Sequence, residues 1–238
     1  MIDIRKAYGD TLALDHVNLE IFAGQILGIV GPNGSGKSTL IGILNGTLTP
    51  DAGSIIIDQK EVSFASPADA LACRIRSLPQ SLELYPSLSV LENIFVGQEL
   101  AFGKSFVRTM NWTKMAAAAS TLLSQVDANH INPRTVVARL SGGQQKAVAL
   151  ARLFAVEARI LLFDEPVASL GQQQKTRLLE IMTAEATNGR SIVFISHDID
   201  DLLAVCSRVV VLANGVITKD AALDPTTREE LSCQMRIV

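Results

Sequence analysis

The chain has 238 residues, enough to bury a full core in one large domain, with or without an inserted lobe. Hydrophobic residues make up 48% and charged residues 19%, and a formal net charge of -3 excludes the basic footprint of a nucleic-acid binder. Cys73, Cys206 and Cys233, with the scattered His16, His130 and His197, show no zinc-ligand spacing and no disulfide framework.

The opening "MIDIRKAYGD" is charged from its third residue and does not read as a secretory signal. No run approaches the roughly 18 apolar residues that cross a bilayer, so the expectation is a cytosolic chain unless a partner holds it at a membrane. "MIDIRKAY" and "HVNLEIF" alternate apolar with polar residues and predict half-buried antiparallel strands. "ILGIV" at 26–30 is continuously apolar, as are "RILLF", "SIVFI" and "RVVVL", which end at Phe163, Ile195 and Leu212. Such runs are strands buried on both faces. Helical stretches such as "STLIGILNGTL" and "KTRLLEIMTAEA" alternate with them, the pattern of an α/β fold with a mostly parallel sheet. Residues 81–145 lack strong strand runs and carry "WTKMAAAASTLLSQV", which predicts a helical lobe inserted in a core of residues 1–80 and 146–220. Asn-Gly in "VVVLANGVITK" predicts a tight hairpin, and residues 221–238 form a short tail.

"GPNGSGKST" comprises Gly31, Pro32, Asn33, Gly34, Ser35, Gly36, Lys37, Ser38 and Thr39, and it follows a buried strand and opens a helix. That is the context a phosphate-binding loop needs. Its glycines let backbone N–H groups curl around phosphate oxygens, Lys37 reaches the β and γ phosphates, and the Ser38 hydroxyl ligates Mg²⁺. "RILLFDEP" ends a strand on Asp164 and Glu165. Alone this is as much a turn-forming Asp as a metal site, but beside a phosphate loop Asp164 can hold Mg²⁺ and Glu165 can activate water. "LSGGQ" places Ser141 as N-cap with Gly142, Gly143 and Gln144 in the first helical turn. It reads either as an ordinary capped helix or as a second phosphate-binding surface, since glycine is costly inside a helix unless a ligand approaches the backbone.

"GPNGSGKST", "LSGGQ" and "LLFDEP", in this order, closely resemble the ATP-binding subunits of ABC transporters, over about residues 8–217. The resemblance implies a P-loop NTPase (RecA-like) core with an antiparallel β subdomain and an inserted helical lobe. It implies ATP hydrolysis with Mg²⁺, and a head-to-tail dimer in which Ser141, Gly142, Gly143 and Gln144 close over the nucleotide of the opposite subunit. Tyr8 then corresponds to an aromatic that stacks on adenine. Gln80 corresponds to the glutamine that contacts Mg²⁺ and water and links the site to the membrane partner. His197 corresponds to the switch histidine on the γ-phosphate.

Gly171 stands where the family usually has an aspartate, and Lys146 and Ala147 replace a commoner Gln-Arg pair. "LSVLENIFVGQEL" looks like the corresponding stretch of ribose- and fructose-type monosaccharide importers. The implied partners are a second copy or a different cassette, two transmembrane permease subunits, and a solute-binding protein for import, with no nucleic acid. The implied place is the cytoplasmic face of the inner membrane, as a peripheral subunit. A soluble ABC-type ATPase acting on nucleic acid or ribosomes, and a non-catalytic nucleotide-sensing cassette, are the alternatives.

Overall fold

The computed structural model describes residues 1–78, 82–102, 109–167 and 170–223. Gln80, Cys233 and the tail beyond 223 lie outside the described residues. The chain divides into two compact units, one of Met1–Pro79 with Ala158–Val238 and one of Gln80–Glu157.

In the first unit, β1 (Ile2–Tyr8), β2 (Thr11–Val17), β4 (Ala52–Ile57) and β5 (Lys60–Val62) form an antiparallel sheet in the order β2-β1-β4-β5. The alternation in "HVNLEIF" predicts a strand beyond Val17, but β2 stops there. Asn18 interrupts the ladder: its Oδ1 accepts from the Asp3 N–H and its Nδ2 donates to the His16 carbonyl, and one residue on, Leu19 exchanges main-chain bonds with Met1 at 2.9 and 3.1 Å. The β4–β5 hairpin turns through Asp58 and Gln59, both at positive φ, without the Asn-Gly pair that flags such a turn in a sequence.

The second sheet has the order β12-β11-β3-β10-β9-β6, from β3 (Ile26–Val30), β6 (Ile75–Leu78), β9 (Ile160–Asp164), β10 (Ser191–Ile195), β11 (Arg208–Ala213) and β12 (Val216–Ala222). All its pairings are parallel except β11 with β12, which turns through Asn214 and Gly215, both left-handed. Every residue of β3 and β10 is buried, as continuous apolar runs require of strands covered on both faces. Helices α1 (Lys37–Leu44), α2 (Pro67–Ala72), α6 (Gln172–Thr187) and α7 (Ile199–Val205) complete this unit. Gly28, at the middle of β3, is closely covered: a Cβ there would lie 3.0 Å from Cys206 Sγ, at the end of α7, and 3.0 Å from Val209 Cγ2 on β11.

The second unit holds α3 (Val90–Phe95), α4 (Trp112–Gln125), a 3-10 turn (Val137–Arg139) and α5 (Gly142–Phe154). A two-stranded ladder of β7 (Ala101–Phe102) and β8 (Thr109–Met110) is also present, which the sequence reading does not contain. Helix α5 runs past residue 146 and belongs whole to this unit, because Val148, Ala151 and other buried residues of its apolar face pack on α3 and α4. At the start of α3, Ser89 and Glu92 form a capping box. Bonds from the Ser89 hydroxyl and N–H hold the Glu92 carboxyl below the ordinary carboxylate range.

Two outcomes follow for stability. Gly28→Ala overpacks the sheet and costs about 1–3 kcal/mol in urea unfolding. The Glu92 contribution, about 0.3–1 kcal/mol at a helix N-terminus, is complete above the ordinary carboxylate pKa and disappears as pH falls through the depressed one. The stability gap between the wild type and Glu92→Ala therefore narrows as pH falls below the ordinary carboxylate range, and a gap that does not narrow on acidification contradicts the box.

Candidate nucleotide site

Strands β3, β10 and β9 lie side by side, and their registers align Ile29, Ile195 and Asp164. The segments leaving their carboxyl ends therefore emerge along one edge, where ligands bind in sheets of this kind. From β3 comes the glycine-rich loop. Gly34 and Gly36 take positive φ, and Gly36 is the left-handed N-cap of α1, whose first turn no side chain caps. Its first-turn N–H groups are thus available to an anion. A Cβ on Gly31 would sit 2.0 Å from the Leu212 carbonyl oxygen and one on Gly36 2.4 Å from that of Ala13, so both glycines are required by close approach of backbone. Ser35 is buried with its Oγ unpartnered, Ser38 is exposed, and Thr39 is half-buried behind it on the first turn. Pro32, Asn33 and Gly34 are exposed at the tip of the loop.

Lys37 is only 7% exposed and its Nζ donates to the carbonyls of Gly31 and Pro32, at 2.8 Å each. Burial lowers its pKa from the ordinary lysine value, while Glu165 and Asp164 pull it back up. Conversely, burial pushes the Asp164 carboxyl up and the neighbouring Glu165 charge adds to that, with Lys37 and His197 opposing. Charged groups from three strand ends thus act on one another at this edge.

Glu165 is held at φ +50, a left-handed conformation that costs a non-glycine residue about 1–2 kcal/mol. Its N–H donates to the Ile195 carbonyl at 3.1 Å, and its carboxylate pairs with His197 Nε2. The neighbouring Ser196 Oγ accepts from the Asp198 N–H at 3.1 Å. Lys175 on α6 binds Asp198 at 2.9 Å and also pairs with the nearly buried Asp201. No sequence signal marks Lys175 or Asp201, because their pairing joins helices from separate parts of the chain.

Tyr8 ends β1 half-exposed, with the Lys6 ammonium 6.0 Å from its ring centre. Ser141 and its neighbours belong to the other unit. There the Ser141 Oγ accepts from the Gln144 N–H at 3.3 Å and Gln144 Oε1 accepts from the Ser141 N–H at 3.0 Å. Because Oγ acts as acceptor in this box, its own proton is left to donate to a ligand. Ser141 and Gly142 are exposed, Gly143 is half-buried, and a Cβ on Gly142 would meet no atom within 4 Å.

The family model for ABC transporters matches residues 14–168. The chain belongs to the ABC transporter family. It is 36% identical to the ribose import ATP-binding protein RbsA of Caldanaerobacter subterraneus over 97% of this chain and 46% of that protein. It is also 36% identical to the fructose import ATP-binding protein FrcA of Rhizobium meliloti, over 86% of this chain and 80% of the relative. The chain spans about half the length of the ribose-type relatives it matches. Among solved structures, an ATP-binding cassette of an ABC transporter in its ADP conformation aligns with TM-score 0.82 and 26% identity, over 99% of this chain and 96% of that one. A dimeric cassette in a post-hydrolysis state bound to ADP and phosphate aligns equally well, at 26% identity over 94% of this chain and 97% of that one. The fold is therefore that of the ABC ATPase: a parallel P-loop core, an antiparallel sheet and a helical unit.

Gly171, where the resemblance implies an aspartate, has no structural explanation within the chain. It is the N-cap of α6 at φ -67, and a Cβ there meets nothing within 4 Å. An aspartate would fit, so packing within the chain does not demand glycine there. Gly142 offers the sharper test. Gly142→Ala is free of clash and raises stability by roughly 0.5 kcal/mol through helix propensity. If the bare backbone serves a ligand, the same change lowers nucleotide-dependent pairing of chains, read by light scattering. Unchanged pairing would leave Gly142 as an ordinary helix residue.

Proposed function

We propose that the chain is the ATP-binding and ATP-hydrolysing subunit of a membrane transporter that imports a monosaccharide or a similar small solute. The observation that carries this reading is the Glu165–His197 pair at the end of β9 and β10, beside the phosphate loop leaving β3. The names of the ribose and fructose import relatives support the substrate class.

ATP places its phosphates on the N–H groups of residues 31–39 and its adenine against Tyr8. Lys37 exchanges the carbonyls of Gly31 and Pro32 for the β and γ phosphates. The donors beside it, the Ser38 hydroxyl and the Asp164 carboxylate, are oxygens, and burial and Glu165 repulsion at Asp164 are both relieved by a cation. This set fits Mg²⁺, which is held by few protein oxygens and completes its shell from phosphate and water. Gln80 is a third candidate ligand. When bound, Mg²⁺ neutralises charge on the transferring phosphoryl group. Glu165 then takes the proton of the attacking water, and His197 holds that carboxylate in place against the γ-phosphate. Ser141, Gly142, Gly143 and Gln144 complete the site of a paired cassette, whether a second copy or a different chain. Closure and reopening of the pair drive two membrane-embedded subunits, supplied with solute by a binding protein. No helix among the described residues is long and apolar enough to cross a membrane, in keeping with a peripheral subunit on the cytoplasmic face.

Replacing the general base separates binding from chemistry. Glu165→Gln keeps ATP binding and lowers hydrolysis by about 10²–10⁴-fold, the usual contribution of a positioned base. Wild-type turnover in that variant removes Glu165 from the reaction. Light scattering on the same variant reads pairing directly, as a doubling of mass on addition of ATP.

A further inference from the structure

The His197 side chain is 49% exposed, so packing alone does not choose where its ring points. The backbone on either side of it does. Ser196 is buried directly after β10, and its Oγ accepts from the Asp198 N–H at 3.1 Å. Asp198 is the N-cap of α7, with Oδ1 accepting from the Asp200 N–H at 3.0 Å and Oδ2 accepting from Lys175 Nζ at 2.9 Å. His197 thus lies between two residues that side-chain bonds hold in place.

Lys175 stands near the start of α6, its N–H donating to the Gly171 carbonyl at 3.0 Å. A lysine on a surface helix ordinarily carries its ammonium out to water. Here the side chain is mostly covered and turned onto α7, where it meets Asp198 and, about one helical turn on, Asp201, which is 3% exposed. The bond to Asp201, aided by that to Asp198, outweighs burial and raises the Lys175 pKa. Lys175 in turn holds the Asp198 carboxyl below the ordinary carboxylate range, so both groups are charged at neutral pH. The two contacts do different things. A buried carboxylate needs a counter-charge, so the Asp201 contact secures α7 on α6. The Asp198 contact is next to His197 and holds the segment that carries it.

We propose that Lys175 is a positioning residue for ATP hydrolysis: acting through Asp198, it fixes the backbone that aims His197 at Glu165. This rests on the roles given to Glu165 and His197 above.

The test reads steady-state ATP hydrolysis by the full chain, with unfolding midpoints measured alongside. Wild-type hydrolysis comes first; its absence overturns the ATPase role and this inference with it. Given hydrolysis, Lys175→Met and Asp198→Asn each lower kcat about 10–100-fold, the usual effect of losing a partner that orients a site's groups, and leave KM within about twofold. Asp198→Asn guards against misfolding, because asparagine keeps one acceptor oxygen for the cap and the Lys175–Asp201 pair stays in place. Lys175→Arg, whose guanidinium bonds carboxylates, restores kcat. Asp201→Asn lowers the unfolding midpoint yet retains kcat, since Lys175 keeps its bond to Asp198. A kcat that simply follows stability, falling most in Asp201→Asn, overturns the inference while leaving the ATPase role standing. So does an unchanged kcat in Asp198→Asn, or no rescue by arginine. In a His197→Ala background, Lys175→Met lowers kcat no further; losses that multiply show a separate role and overturn it. Hydrogen exchange without nucleotide gives a readout apart from activity. Lys175→Met accelerates exchange of the Asp198 amide while the amides of β10 stay protected, and wild-type protection at Asp198 overturns the inference.

Discussion

Ile195 pairs with Ile29 on one side and with Asp164 on the other, and the candidate site depends on that register. A shift of one residue in either pairing would carry Glu165 or His197 away from the loop and turn alternate side chains to the opposite face. The register is held because β3 and β10 are buried along their whole length, so a slip would also expose apolar surface worth about 1.5–3 kcal/mol per large side chain. Rigid strands thus position a glycine loop that on its own has many conformations.

The same burial sets the electrostatics. Burial disfavours the charged form of Lys37 and of Asp164 alike, and each is favoured by the other's charge. In this arrangement the ammonium bonds to the carbonyls of its own loop. On the proposed function, a phosphate chain with its metal ion would bring charges of both signs to this edge and would let Lys37 exchange its internal bonds for ligand bonds. The left-handed Glu165 fits the same picture, its strain held by the bond to Ile195 and by His197.

In the helical unit, satisfaction of polar groups plays the part that burial plays in the sheet. Capping boxes at Ser89 and Ser141 close two helix starts, and Asn93 satisfies the turn between Tyr85 and Ser89 from within the core. A buried amide with all its partners in one segment is a specific fastening, since any displacement leaves polar groups unpaired.

The apolar runs at Ile26–Val30, Ile160–Phe163, Ser191–Ile195 and Arg208–Leu212, the glycine loop, the Asp164–Glu165 strand end, the Ser141 cap and the Asn-Gly hairpin were all legible in the sequence. Each is a local matter of side-chain period, backbone freedom or capping chemistry, which neighbouring residues decide between themselves. The early end of β2 was not, because Asn18 competes for bonds that a periodicity count assigns to a ladder. Nor was the β4–β5 turn, where Asp58 and Gln59 take a conformation that tertiary pairing imposes. The strand order, the meeting of Glu165 with His197, and the Lys175 pairing with Asp198 and Asp201 are decided by the tertiary structure alone. They join residues remote in sequence, and whether such groups meet depends on the sum of packing over the whole chain, which no short stretch contains.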